Sequence, residues 1–327
     1  MPQHFLLSAA ARSLNLATVM RMSDDEVEAV FKRLRWQSTN GEPVCPHCGG
    51  VEPYEYQRPS GSPLFRCKAC RKDFSITSGT LFASRKLPLR IYLLAIAIFC
   101  NEVKGKSMLA LGRDLGVQYK TAFVLAHKLR EAMAAEVRTG VIGGEGKTVE
   151  IDAAYYGGYK KPRNRRADRE NRRYSANQTG KRRAVVVVRE REGRTIVGVF
   201  QSEAQALAFI RQRVAKGTEI VADEAAAYND LLARYEMQRI NHTDGYSLDG
   251  VHTNNAESFH SRMRRAEIGH HHHLAGPYLL RFAQEAAWRE DHRRERNGDQ
   301  VDRLAALAMV CKPSVDFSGY WERARVA

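Results

Sequence analysis

Over the first 140 residues the apolar positions recur mainly at helical spacing; from Thr148 onward short alternating or continuous apolar runs replace them. Ser23-Asp24-Asp25-Glu26 has the form of a capping box and opens a predicted helix through Val27, Val30, Phe31 and Leu34. Strand-like pieces follow at 54–56, 64–66 and 73–76, then an apolar helix from Leu87-Pro88-Leu89 to about Asn101. Leu111 and Leu115 repeat at helical spacing, Gly116-Val117 breaks the period, and Ala122, Leu125 and Leu129 restart it, which is a helix-turn-helix pattern. In the second half, 148–152 alternates like a half-buried strand. Residues 184–189 and 195–200 form two more strands joined by a turn at Glu192-Gly193-Arg194. A helix at 205–214, a strand at 219–223, a helix at 225–235, a strand at 237–241 and a helix at 255–265 complete the pattern.

A chain of 327 residues is long enough for two or more folding units. With 43% hydrophobic and 27% charged residues, it is neither disordered nor fibrous. The longest apolar stretch, 91–100, falls far short of the ~20 residues a membrane-spanning helix needs. The N-terminal patch lacks a basic leader and a cleavage site, so a secreted or membrane-anchored protein is not expected. The net charge of +15 and a pI near 9.7 suit a polyanionic partner. Without an amphipathic anchor or lipidation signal, that partner is expected to be nucleic acid and not a membrane.

Four of the six cysteines form two CxxC pairs, Cys45/Cys48 and Cys67/Cys70, eighteen residues apart. Two such knuckles complete a four-thiolate shell for one structural Zn²⁺, and strand-like pieces between and after them make the segment a zinc ribbon. Two disulfides are the alternative, disfavoured by the absence of a secretory signal. His47 is not expected to be a ligand, and Cys100 and Cys311 read as free thiols.

In a helix-turn-helix, base edges are met by the start of the second helix, here Gln118, Tyr119, Lys120 and Thr121. The later order of three strands, helix, strand, helix, strand, helix is that of an RNase H-like (retroviral-integrase-like) α/β domain. Two of its strands end in Asp152 and Asp223, and a later helix carries Glu257. Carboxylates side by side on one sheet edge repel unless cations separate them. Mg²⁺ (or Mn²⁺) prefers such oxygens, and two ions together can activate an attacking oxygen and stabilise a leaving one in phosphoryl transfer.

The motifs resemble those of bacterial insertion-sequence transposases of the DDE type, in the ISXO-like family with an N-terminal zinc ribbon. The resemblance rests on Val149-Glu-Ile-Asp152 with Tyr156-Gly157-Gly158, on Val221-Ala-Asp223 with Tyr228, and on His252-Thr-Asn254-Asn-Ala-Glu257-Ser-Phe259 followed by Arg262-Met-Arg264-Arg265. Gly269-His270, Leu280-Arg-Phe282 and Trp288-Arg289 extend it. Intervals of 70 residues between the aspartates and 33 between Asp223 and Glu257 are similar to that superfamily's spacing. The family usually has an acidic residue after the first aspartate, where this chain has Ala153. Many relatives have lysine where it has Arg264.

The resemblance implies a metal-dependent transposase that cleaves DNA strands and transfers the freed 3′-hydroxyl to target DNA. It implies catalytic roles for Asp152, Asp223, Glu257, Asn254 and Arg264. The expected partners are double-stranded DNA, as terminal inverted repeats and target, and further copies of the chain, in a dimer or higher oligomer on DNA; the expected location is the bacterial cytoplasm and nucleoid. The expected organisation is multidomain α+β: a helical segment (1–40), the zinc ribbon (41–78), a helix-turn-helix-like region (85–140), the RNase H-like domain (145–295) with a basic insert (159–183), and a C-terminal helix and tail (296–327). Residues 159–173 hold eight Lys or Arg against two acids, and Arg165, Arg166, Arg172 and Arg173 are expected to contact phosphates. A DNA-binding regulator, or a domesticated transposase using the RNase H-like domain only as a scaffold, is the alternative. The internal run His270 to His273 is assigned no metal.

Overall fold

In chain order the helices and strands are α1 (Leu16–Arg21), α2 (Asp24–Arg35), β1 (Tyr54–Gln57), β2 (Pro63–Arg66), β3 (Asp73–Phe74), α3 (Leu89–Asn101), α4 (Met108–Leu115) and α5 (Tyr119–Val137). They continue with β4 (Thr148–Tyr156), β5 (Arg183–Glu190), β6 (Thr195–Phe200), α6 (Leu207–Arg213), β7 (Glu219–Asp223), β8 (Glu236–Ile240), α7 (Asn254–Ala266), α8 (Leu279–His292) and α9 (Asn297–Val310). The structure is a computed structural model that describes residues 5–58, 63–158, 163, 165–170, 177, 179–223, 226–240, 252–274 and 276–320. Two compact units divide the chain: residues 1–136 with 294–327, and residues 137–293.

In the first unit, α2 begins at the capping box: Glu26 N donates to Ser23 Oγ at 3.2 Å, and Ser23 N donates to the Glu26 carboxylate at 2.6 Å. Strands β1, β2 and β3 make a small antiparallel sheet in which Phe65 pairs with Phe74, both buried. Arg35 donates from α2 to the backbone oxygens of Ser75, Ile76 and Ser78, tying this helix to the segment after β3. Helix α3 is apolar on most sides and is buried from Ala95 to Cys100. Helix α9 packs against α2 and α3, so C-terminal residues complete the core begun by N-terminal ones. Asn297, at the start of α9, donates to Leu14 O and accepts from Leu14 N at 3.1 Å.

Helices α4 and α5 meet at Gly116, whose left-handed backbone (φ 63°) makes the turn. A side chain at Gly112 would meet Val117 O at 3.1 Å and Ala122 Cβ at 3.4 Å, so the two helices cross where only glycine fits easily.

The second unit is a five-stranded sheet in the order β6-β5-β4-β7-β8. β4, β5 and β6 are antiparallel neighbours; β7 and β8 run parallel to β4. Val149, Ile151, Val186, Val188, Ile196, Ile210, Val214, Ile220, Ala222 and Leu231 build the core on one face. Helices α7 and α8 pack on the other, against β4, β5 and β6, where Phe259 and Trp288 are buried. The sheet is therefore covered on both faces, which corrects the half-buried reading of 148–152: Glu150 is completely buried. Two other expectations change. β4 runs four residues past Asp152, because β5 continues to pair with it as far as Tyr156. The segment expected to be helical at 225–235 forms a 3-10 helix at Ala226–Leu231.

Candidate metal centres

The four sulfurs of Cys45, Cys48, Cys67 and Cys70 lie within 4.8 Å of one another. Each knuckle is closed by matching backbone bonds: Gly49 N donates to Cys45 O at 2.9 Å and Arg71 N to Cys67 O at 3.0 Å, with Gly49 and Arg71 both left-handed. Sulfur separations of 3.7 Å (Cys45–Cys70) and 3.5 Å (Cys48–Cys67) are too long for disulfides. They match a tetrahedron with Zn–S bonds of ~2.3 Å, whose edges are ~3.8 Å. The Cys70 N–H, 3.5 Å from Cys67 Sγ, holds that thiol down to about 6, toward the thiolate a metal requires. A Cβ on Gly50 would sit 3.1 Å from Cys67 Sγ, so this position must stay small. The thiol cluster fits one structural zinc.

In the second unit the parallel register pairs Ile151 with Ala222, so Asp152 and Asp223 occupy matching positions one residue further on. Strands lie about 4.8 Å apart, and matching positions share a face. Glu150 and Tyr156, on the same side of β4 as Asp152, both touch α7. That is the helix whose first turn carries Glu257. Its carboxylate accepts from Thr253 Oγ1 at 2.8 Å. Among the described residues these three carboxylates are not gathered within 4.8 Å as the thiols are. As hard oxygen donors they suit Mg²⁺ or Mn²⁺.

Two groups that the motifs left without a role lie nearby. Burial first, and then the charge of Asp223, push the Glu203 carboxyl up. Tyr228 is buried with its hydroxyl unpartnered among the described residues. Burial, then the charges of Glu203, Asp223 and Asp152, drive its acidity down, so it stays protonated.

His260, on α7, places Nε2 3.4 Å from Asp152 O and Nδ1 3.4 Å from the Tyr156 hydroxyl. Burial pushes this imidazole down to about 4, from ~6.5 in an unfolded chain. Because the folded value is the lower one, the stability it reflects is complete above pH ~6.5 and is lost as the pH falls toward 4, by about 3 kcal/mol in all. Thermal melts from pH 7 to 4.5 should therefore fall more steeply for the wild type than for His260→Gln. Parallel slopes would remove His260 as the cause.

The remaining candidates are placed as follows. Asn254 opens α7 and is exposed; its neighbour Asn255 is the one that bonds back to β4. Arg264 donates to Tyr155 O and, at 3.1 Å, to Glu267, and its guanidinium stacks 3.9 Å from the Tyr156 ring centre. Ala153 points to the opposite face from Asp152 and packs on the hydrophobic core. Gln118, Tyr119 and Lys120 are exposed at the start of α5 and Thr121 is half-buried. Arg165 and Arg166 are exposed; Arg172 and Arg173 lie outside the described residues. His271 packs its ring on Phe282, 4.7 Å between centres. The residue that motif reading missed is Glu150. Its signal was a carboxylate two positions before Asp152, in a strand bounded by apolar residues.

Residues 143–291 match the family model for the ISXO2-like transposase domain, and residues 22–73 match that for the transposase zinc-ribbon domain. The chain is 25% identical over 275 residues to a protein in transposable element ISH50 of Halobacterium salinarum, covering 80% of this chain and 90% of that one. No solved structure matches. No helix among the described residues is long and apolar enough to cross a membrane. In these two segments the chain is thus similar to the zinc-ribbon and ISXO2-like domains of insertion-sequence transposases.

Proposed function

We propose that the protein binds the terminal inverted repeats of its element, cleaves DNA there in a metal-dependent reaction, and joins the freed 3′-hydroxyl to target DNA. The observation that carries this is the register of Asp152 and Asp223 on adjacent parallel strands, the first of which packs against the helix bearing Glu257. The strand order β6-β5-β4-β7-β8 supports an RNase H-like reading of this unit. Asp152, Asp223 and Glu257 would hold Mg²⁺ or Mn²⁺, as two ions; when bound, such metals supply the activation of the attacking oxygen and the neutralisation of the leaving one. Burial keeps Tyr156 protonated, and its hydroxyl is engaged with His260, so it serves as a packing donor and not as a nucleophile. We assign Asn254 a supporting role beside Glu257, from which it is separated by about one helical turn. Arg264 braces the end of β4 through Tyr155 O, which holds the strand that carries Asp152.

DNA recognition is assigned to the first unit, to α4 and α5 read as a helix-turn-helix with Gln118, Tyr119, Lys120 and Thr121 at the start of its second helix, and to the zinc ribbon. Two element ends must be paired for transposition, so at least a dimer acts on DNA. The basic insert is assigned to binding the phosphate backbone. Neutralising Arg165, Arg166, Arg172 and Arg173 together should flatten the plot of log affinity against log salt by up to ~0.9 for each phosphate no longer neutralised. An unchanged slope would return the insert to a solvated role.

The test uses a duplex carrying the DNA end that flanks the gene, and a scrambled duplex of equal length. Specific binding and divalent-metal-dependent nicking of the first alone are expected. Specific binding with no nicking in Mg²⁺ or Mn²⁺ would favour a regulator. Equal cutting of both duplexes would mean a general nuclease.

A further inference from the structure

Helix α7 starts without a side-chain cap of its own: Thr253 occupies the N-cap position and makes no capping bond. The acceptor comes instead from β4. Glu150 Oε2 takes the backbone N–H groups of Asn255 at 2.8 Å and Ala256 at 3.1 Å. Its Oε1 takes Asn255 Nδ2 at 2.9 Å and Arg191 Nε at 2.9 Å, and lies 3.3 Å from His252 Nδ1. Arg191 also donates to His252 O at 2.9 Å, so strand, turn and helix start are bound into one network. The carboxylate is completely buried, a location it tolerates because a guanidinium, an amide and the positive end of a helix surround it.

We infer that Glu150 is a positioning residue for the carboxylate site, seating the first turn of α7 so that Glu257 is held over the strand that carries Asp152. The inference rests on the proposed metal-dependent cleavage. Glu150 lies two residues before Asp152 on the same face of β4, and the backbone N–H groups it holds belong to the two residues just before Glu257. Thr253, also buried, then bonds to Glu257 from both its hydroxyl and its backbone oxygen. With both oxygens occupied by donors, Glu150 itself is not a metal ligand, although it is the acid closest in sequence to Asp152. A helix could be capped more simply by a serine or aspartate at position 253. Capping it from the strand instead couples the two elements that bring Asp152 and Glu257 together.

The experiment measures steady-state nicking of the end-containing duplex by full-length Glu150→Gln, Asn255→Ala, Glu257→Gln and the Glu150→Gln/Glu257→Gln double variant. Glu150→Gln turns one acceptor into an NH₂ group facing N–H donors. Its kcat should fall ~10–100-fold with KM for DNA unchanged, as for loss of a group that orients a metal ligand. Asn255→Ala deletes one donor while leaving the charge paired by Arg191; it should slow kcat several-fold in a protein that still folds, and it carries the test if Glu150→Gln does not fold. The double variant should be about as slow as Glu257→Gln alone, because the first change acts through the second residue. Multiplied effects would overturn the inference, since independent sites add in free energy. So would Glu150→Gln and Asn255→Ala both nicking at the wild-type kcat. Failure of the wild type to nick would instead reject the cleavage reading on which the inference rests.

Discussion

Asp223→Asn is expected to slow Mg²⁺-dependent cleavage of an end-containing duplex by about a thousandfold or more. Asparagine keeps the shape of the side chain but removes the charged oxygen that Mg²⁺ prefers. Metal stabilisation of a phosphoryl-transfer transition state is worth several kcal/mol, and each ~1.4 kcal/mol is a factor of ten in rate. Asp223 ends β7 and is only partly buried, so the fold should survive the change. Affinity for DNA should hold or rise slightly, because a carboxylate near phosphates repels them. Single-turnover rates beside gel-shift affinities on the same duplex measure both quantities. Equal rates for the two proteins would remove Asp223 from the chemistry.

Cys67→Ser should act on the other half of the function. Sheet β1-β2-β3 has strands of four, four and two residues and few buried side chains of its own, too little core to order the ribbon alone. Structural zinc contributes about 10–16 kcal/mol of apparent binding free energy in small domains, so metal and fold are lost together. The wild type should carry about one zinc per chain by metal analysis, and Cys67→Ser should lose it along with specific end binding. The second unit, which contains none of the four cysteines, should keep its sheet. Wild-type protein without zinc, with these cysteines as disulfides, would contradict the assignment.

What could be read from the sequence follows from how local each constraint is. Two CxxC knuckles need only a turn and a fixed spacing, so their convergence was legible. The neighbouring places of Asp152 and Asp223 were legible too, because the pattern has each close a strand of one α/β sheet, although β4 in fact runs on past Asp152. Glu150 was not. A strand pattern gives two faces but not what covers them, and only the packing of α7 turns an apparently outward carboxylate into a buried helix cap. Nor could the pattern show that β4 outruns β7, since its last four residues are held by β5, about thirty residues later. The 3-10 helix at Ala226–Leu231 replaces a predicted α-helix in an alanine-rich run whose propensity favours the longer form. The place of α9 in the first unit depends on interactions with residues far away in the chain, such as the bond from Leu81 N to Ala308 O.

Metal ligation by Asp152 can be tested without relying on loss of activity alone. Asp152→Cys replaces a hard oxygen donor with a thiolate, a poor ligand for Mg²⁺ and a better one for the softer Mn²⁺. Nicking of the end-containing duplex would be followed for wild type and Asp152→Cys, in each metal and in chelator, at protein concentrations that saturate binding. The expected result is a wild type active in both metals and silent in chelator, and a variant silent in Mg²⁺ that regains nicking in Mn²⁺. Undiminished nicking by Asp152→Cys in Mg²⁺, or wild-type nicking that persists in chelator, would contradict a metal site built on Asp152.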